Sequence, residues 1–144
     1  MSALASKRIV LIDDQLPILS LIRSLLEAKG ARGISIARSG AAGLNLIRDT
    51  HPDLIICDIE MPRMSGLEVL KEIRTGRAGV SEVTPLIFLS GHTDTNLVRL
   101  AAALDANGFI RKPFQSGELA DRIAAMLAQA RSYKDILAYR AVTI

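Results

Sequence analysis

Residues 8–14 read Arg8-Ile9-Val10-Leu11-Ile12-Asp13-Asp14, a nearly unbroken apolar run closed by two aspartates. The run is short and β-type, as expected of a strand buried on both faces. The same form returns at Asp53-Leu54-Ile55-Ile56-Cys57-Asp58, closed again by aspartate, and at Pro85-Leu86-Ile87-Phe88-Leu89-Ser90, closed by serine. Briefer runs stand at Ile34-Ser35-Ile36-Ala37 and Phe109-Ile110-Arg111. Helical patterns lie between them. Leu16 to Lys29 carries Leu19, Ile22, Leu25 and Leu26, has Pro17 in its first turn and stops at Gly30. Gly40 to Thr50 carries Leu44, Leu46 and Ile47 and is broken by His51-Pro52. Gly66 to Arg74 turns Leu67, Leu70 and Ile73 inward, and Thr75 to Thr84 reads as a loop. Thr93 is a suitable N-cap for a helix through Leu97, Leu100 and Leu104, with Asn107-Gly108 as its stop. A last helix begins near Ser116. The order is βαβαβαβαβα, which predicts an α/β fold with a parallel sheet covered by helices on both faces and right-handed crossovers. In such folds chemistry gathers at the carboxyl ends of the strands. Asp13, Asp14, Asp58, Ser90 and Lys112 close four of the five runs and are expected to meet on one rim.

Composition narrows the function classes. The 144 residues fit one compact domain that can bury about two-thirds of its unfolded surface. One cysteine excludes a disulfide framework and a Cys-rich zinc site. At 49% hydrophobic residues the chain is not a disordered one. No apolar run approaches the roughly 20 residues of a membrane span, and Ile9 to Ile12 is too short for a signal peptide, so a soluble cytoplasmic protein without membrane insertion is expected. The net charge of +3 comes from scattered Lys and Arg, and aromatics are only 3%, which argues against direct nucleic-acid binding. Neither a G-x-G-x-x-G nor a P-loop pattern occurs, so a nucleotide-binding enzyme is not expected.

Three carboxylates held close repel one another, so one must be protonated or the group must hold a cation. An all-oxygen cluster without His or Cys suits a hard ion, most simply Mg²⁺. Lys112 adds a movable positive charge and Ser90 a hydroxyl donor. Together these describe a phosphoryl-transfer site with a carboxylate as acceptor. Each residue also has a plain reading: Asp14 as a cap for the helix that follows it, Ser90 as a turn residue, Lys112-Pro113 as a turn. The case rests on their joint placement at the ends of strands one, three, four and five.

The chain resembles the receiver domains of bacterial two-component response regulators, of the stand-alone chemotaxis-regulator type. The resemblance rests on Ile12-Asp13-Asp14, on Asp58-Ile59-Glu60-Met61-Pro62-Arg63-Met64-Ser65-Gly66, on Leu89-Ser90-Gly91 and on Gly108-Phe109-Ile110-Arg111-Lys112-Pro113-Phe114. It runs from residue 8 to about 131. It implies a flavodoxin-like, doubly wound (βα)5 fold with strand order 2-1-3-4-5. It implies that Asp58 is the phosphoacceptor, served by a histidine kinase or histidine phosphotransfer protein. Asp13, Asp14, Asp58 and the backbone carbonyl of Glu60 would hold Mg²⁺. Ser90 and Lys112 would bind the phosphoryl oxygens, and Ser90 and Phe109 would form the switch pair. The responding face would be Ala101 to Asp105, Phe109 and the last helix, offered to a downstream protein. Beyond its own Mg-dependent phosphorylation and dephosphorylation the domain would not be an enzyme.

Certain positions depart from the commonest pattern. Phe109 lacks the hydroxyl of the tyrosine often found there, and Ser90 stands where threonine is frequent. Glu60, with Gly91 leaving the approach open, is expected to tune the phosphoryl lifetime by repelling or orienting water. Cys57 alternates with Asp58 and should point into the core, His51 should be a solvated loop residue, and His92 a loop residue near the rim. Residues 1–131 are read as the receiver and 132–144 as an extension continuing the last helix. Leu119, Ile123, Met126, Ala130, Tyr133 and Leu137 would form its heptad-type seam, suited to a homodimer or to partner docking, the plain reading being that the first half packs on the sheet and the rest frays. The length leaves no room for an output domain, so a stand-alone module is the leading expectation and a phosphorelay intermediate or sink the alternative. An aspartyl-phosphate phosphatase is disfavoured, because such enzymes carry D-x-D after strand one and here Asp13 and Asp14 are adjacent.

Overall fold

A computed structural model describes residues 3–91 and 94–144. Five strands alternate with helices: β1 (Arg8–Ile12), α1 (Leu16–Ala28), β2 (Gly33–Ala37), α2 (Gly40–Thr50), β3 (Leu54–Asp58), α3 (Gly66–Arg74), β4 (Leu86–Ser90), α4 (Thr95–Ala103), β5 (Gly108–Arg111), α5 (Leu119–Ala128) and a short α6 (Ile136–Arg140). All pairings are parallel and the strand order is β2-β1-β3-β4-β5. This is the doubly wound order 2-1-3-4-5. Alternation along the strands divides the core into two layers. Val10, Ile12, Ile55, Cys57 and Phe88 face α2, α3 and α4, whereas Ile9, Leu11, Leu54, Ile56, Ile87 and Leu89 face α1 and α5. Each such fully buried aliphatic chain contributes on the order of 1.5–3 kcal/mol.

The helix ends follow local chemistry. Ser39 caps α2 by accepting from the Ala42 amide, and Ser65 caps α3 by accepting from the Glu68 amide, with Glu68 in the first turn. Pro17 occupies the first turn of α1, and the helix runs out at Gly30, whose φ is 100°. His51 ends α2 in the left-handed region, exposed as expected.

One plain reading falls away and three expectations need correction. Asp14 does not cap α1; the N-cap is Gln15, and it makes no side-chain cap bond. Thr93, the expected cap of α4, lies outside the described residues, as does His92; the cap is Asp94, which accepts from the Asn96 amide. The turn out of α4 is taken by Asp105, at φ 52°, and not by Asn107-Gly108. Asn107 is buried there as a hydrogen-bonding hub. The last helix is preceded by a 3₁₀ turn at Ser116–Glu118, and it does not run on through the extension. α5 stops at Ala128, Gln129 is extended, and the chain folds back to form α6 against α3. The cause is a stronger set of inward contacts: Tyr139 is 1% exposed and Tyr133 packs over Arg74, so the seam drawn through Tyr133 and Leu137 is not on one helix. Leu137 is left 70% exposed.

Candidate functional site

The carboxyl ends of β1, β3 and β4 and the residue after β5 meet as the run endings require. Asp13 follows β1 and is buried; its Oδ1 accepts from the Gln15 amide at 2.9 Å. Asp58 is the last residue of β3, with its side chain 12% exposed, and Asp14 is partly exposed beside it. One oxygen from each of Asp13, Asp14 and Asp58 lies within 4.8 Å of the others. Lys112 follows β5 through a backbone bond from its amide to the Ser90 carbonyl at 2.7 Å. Its Nζ donates to Asp13 Oδ2 at 2.9 Å and stands 3.8 Å from Asp58 Oδ1. The Lys112-Pro113 peptide is cis. Ser90, fully buried, closes β4 next to β3, where Asp58 pairs with Leu89. All five run-closing residues therefore converge.

Two features fix Asp58 in place. The loop after it returns at once, with the Gly66 amide donating to the Ile59 carbonyl at 2.7 Å. A Cβ at Gly66 would collide with the Asp58 carbonyl oxygen and reach to 2.9 Å from Phe88 Cε1. Only glycine lets α3 start this close to the Asp58 carbonyl. Cys57, one residue earlier, points into the core and donates its thiol to the Asp58 carbonyl at 3.1 Å. Burial pushes that thiol well up, with Asp58 and Asp13 adding to the rise, so it is not a reactive thiolate.

The electrostatics are those of an acidic cluster short of positive charge. Three carboxylates face one ammonium. Burial raises the Asp58 carboxyl to about 6; Lys112 opposes the rise, Asp13 and Asp14 add to it, and a backbone hydrogen bond from Glu60 lowers it. The uncompensated charge and the all-oxygen donor set fit a hard divalent cation. The fold accordingly favours the protonated form of Asp58. Ionising it costs stability as pH climbs from about 4 to about 6, and the cost persists above that. In EDTA near neutral pH, Asp58→Asn is therefore expected to melt above the unsubstituted protein. The gain, discounted for partial solvent access, is about 1–2 kcal/mol or roughly 3–6 °C. Calorimetry from about pH 4 to pH 8 checks this, and equal melting temperatures throughout would remove the charge argument.

The switch candidates sit next to this cluster. Phe109 on β5 is partly buried and meets Phe88 edge to face, 6.5 Å between centroids at 62°. Glu60 is exposed in the loop after Asp58. The expected responding face needs revision at α4. Ala101, Leu104 and Asp105 are buried, and the open surface of that helix is Thr95, Asn96, Val98, Arg99 and Ala102.

Sequence reading passed over one group altogether. Arg74 is fully buried at the end of α3. It donates to the carbonyls of Leu104, Glu82, Thr84 and Asp105 and to Asn107 Oδ1, all within 3.1 Å. Its spacing was the available signal: Leu67, Leu70 and Arg74 lie on one helix face, and a cation in an apolar stripe marks a buried hub.

Comparison with known proteins agrees with this geometry. The sequence matches the family described as response regulator receiver domain over residues 9–124. It is 36% identical over 123 residues to the transcriptional regulatory protein DltR of Streptococcus agalactiae (serotype III, strain NEM316), covering 85% of this chain and 53% of that one. It is 31% identical over 121 residues to the DNA-binding response regulator MtrA of Mycobacterium tuberculosis (strain ATCC 25618 / H37Rv), covering 84% and 50%. The chain thus spans about half the length of the curated relatives it matches. It superposes on a response regulator receiver domain protein from Clostridium thermocellum with a TM-score of 0.72 at 31% identity, covering 83% and 93% of the two chains. The chemotaxis protein CheY4 of Vibrio cholerae superposes with a TM-score of 0.74 at 25% identity, covering 83% and 97%.

Proposed function

Because the chain belongs to the response regulator receiver domain family, we propose that Asp58 accepts a phosphoryl group from a phosphohistidine on a histidine kinase or histidine phosphotransfer protein. The observation that carries this reading is Lys112 Nζ reaching both Asp13 and Asp58 inside a cluster that also holds Asp14. A carboxylate oxygen of Asp58 attacks phosphorus, the P–N bond to the donor imidazole breaks, and the imidazole leaves with that electron pair and takes up a proton. An acyl phosphate forms on Asp58. Asp13, Asp14, Asp58 and the Glu60 carbonyl would hold Mg²⁺, which supplies the positive charge that lets an ionised carboxylate and a phosphoryl group approach. Lys112 neutralises charge developing on the phosphoryl oxygens, and the Ser90 hydroxyl donates to one of them. Glu60 stands where it can orient or repel the water that later hydrolyses the product.

The modified domain gains nearly two negative charges, which bias the packing of Ser90 and Phe109 and so the α4-β5-α5 surface offered to a downstream protein. The domain serves signalling, and its only chemistry is its own phosphorylation and dephosphorylation. Passing the group onward in a phosphorelay, or absorbing it as a sink, uses the same residues, and transfer assays with partner proteins separate these roles. A cytoplasmic location suits such a donor; among the described residues no helix is long and apolar enough to cross a membrane. The test is intact mass after incubation with a small phosphoryl donor and Mg²⁺. The protein should gain one phosphoryl group, EDTA should block the gain, and Asp58→Asn should not be modified. Unchanged uptake by that variant would reject the assignment.

A further inference from the structure

Residues 133–144 form a strap that runs from the amino-terminal ends of β4 and β5 up to the rim that carries Asp58. Its root is held by a buried polar network. The Tyr139 hydroxyl donates to Asp105 Oδ2 at 2.7 Å, Lys134 Nζ reaches the same oxygen at 2.9 Å, and the Lys134 amide donates to the Tyr139 hydroxyl at 2.9 Å. Asn107 Nδ2 donates to the Tyr133 hydroxyl at 2.9 Å, and the Arg74 guanidinium lies over the Tyr133 ring, 5.0 Å from its centroid. Burial first, and then the hydrogen bond to Asp105, pushes the Tyr139 hydroxyl up to about 12. The root is therefore firm.

The tip is held differently. Lys71 Nζ donates to the Val142 carbonyl, and Val142 packs partly buried on the core between sheet and helices. Ile144 is 47% exposed. It forms one edge of a groove whose other walls are Ile59, Met61 and Pro62 on one side and Leu97 and Leu100 on the other. The first wall is the loop that directly follows Asp58. The second is α4, which follows Ser90. The two walls are thus moored to the two residues that a phosphoryl group would engage, and a half-exposed tip with few bonds has little free energy to resist a change in their spacing.

We propose that the strap tip, Val142–Ile144, is a built-in ligand of the α3–α4 groove whose seating is coupled to the state of Asp58: seated when the carboxylate is free, released when it is phosphorylated. The proposal rests on the acceptor reading above. Coupling is reciprocal, so a seated tip also opposes phosphorylation. Release widens the groove between the loop after Asp58 and α4 while the root stays fixed, which turns an internal chemical event into a larger apolar surface on the side of the molecule remote from α1 and α5.

The test is amide exchange followed by NMR on the full chain, with and without phosphorylation by a small donor and Mg²⁺, the occupancy of Asp58 being read by intact mass on the same sample. Exchange at residues 141–144 is expected to rise about five-fold or more, the low end of ordinary coupling between sites, while residues 133–140 keep their protection. Lys71→Met and Val142→Ala loosen the tip without touching the acidic cluster, and each should raise the steady-state phosphorylated fraction while residues 133–140, the root, keep the exchange protection of the unsubstituted protein. Uptake with unchanged or slowed exchange at 141–144 overturns the coupling alone. No uptake overturns the acceptor reading and the coupling with it.

Discussion

Arg74→Met is expected to destabilise the domain by about 3–5 kcal/mol, the cost of breaking a buried, hydrogen-bonded charge site from one side. The guanidinium joins the end of α3 to the 82–84 loop, to the Leu104–Asp105 turn and to Asn107. Methionine matches much of the length and none of the donors, so five acceptors lose a hydrogen bond together, although Asn107 Oδ1 keeps the Leu86 amide and the Glu82 carbonyl is only partly buried. Burial pulls the guanidinium below the usual arginine range, with Tyr133, Tyr139 and Asp105 opposing that shift. Arginine nonetheless stays charged, so the fold cannot relieve the site by deprotonation. Arg74→Lys should recover only a small part of the loss, because one ammonium cannot span acceptors arranged around a planar fork. Urea unfolding followed by circular dichroism measures both variants. A loss for Arg74→Met below about 1 kcal/mol would mean that water or a rearranged loop satisfies these carbonyls.

Lys112→Met is expected to slow phosphoryl uptake from a small donor by about 10²–10³ at saturating Mg²⁺, the usual effect of removing one preorganised charge from a transition state. The ammonium already lies between Asp13 and Asp58, so no rearrangement is needed for it to meet incoming negative charge. Its removal also takes away the group that holds the Asp58 carboxyl down, so the acceptor ionises at still higher pH. Near neutral pH without divalent cation the variant should therefore have a smaller ionised fraction at Asp58 than the unsubstituted protein. Quench-flow rates at saturating Mg²⁺ check the first statement, and an NMR titration of the Asp58 carboxyl in EDTA checks the second. An undiminished rate would separate Lys112 from the acceptor chemistry and leave it a purely structural counter-charge.

The rim was legible because strand ends are punctuated. Each run from Ile9, Leu54 and Leu86 onward stays apolar until the side chain that chemistry needs, and parallel pairing brings those endings level. Helices α2 and α3 were legible from Gly40 to Thr50 and from Gly66 to Arg74 because apolar spacing marks their faces; the caps Ser39 and Ser65 emerge only in the structure. The extension was misread for a physical reason. Tyr133 and Leu137 continue a helical spacing, and spacing alone does not weigh the gain from seating Tyr139 on Asp105 against the gain from one more helical turn. Asp105 was likewise read as part of an open face. A carboxylate at a left-handed turn gives no local sign that an aromatic hydroxyl and Lys134 will close over it. Long-range polar partners, unlike periodicity, leave no trace in neighbouring residues.

The absent side chain at Gly66 makes the start of α3 and the peptide plane of Asp58 a single mechanical part. Nothing compressible lies between them, because the helix rests directly on the carbonyl that precedes the loop. A push felt at the Asp58 backbone is passed directly to the start of α3. That joint is one that no side chain makes.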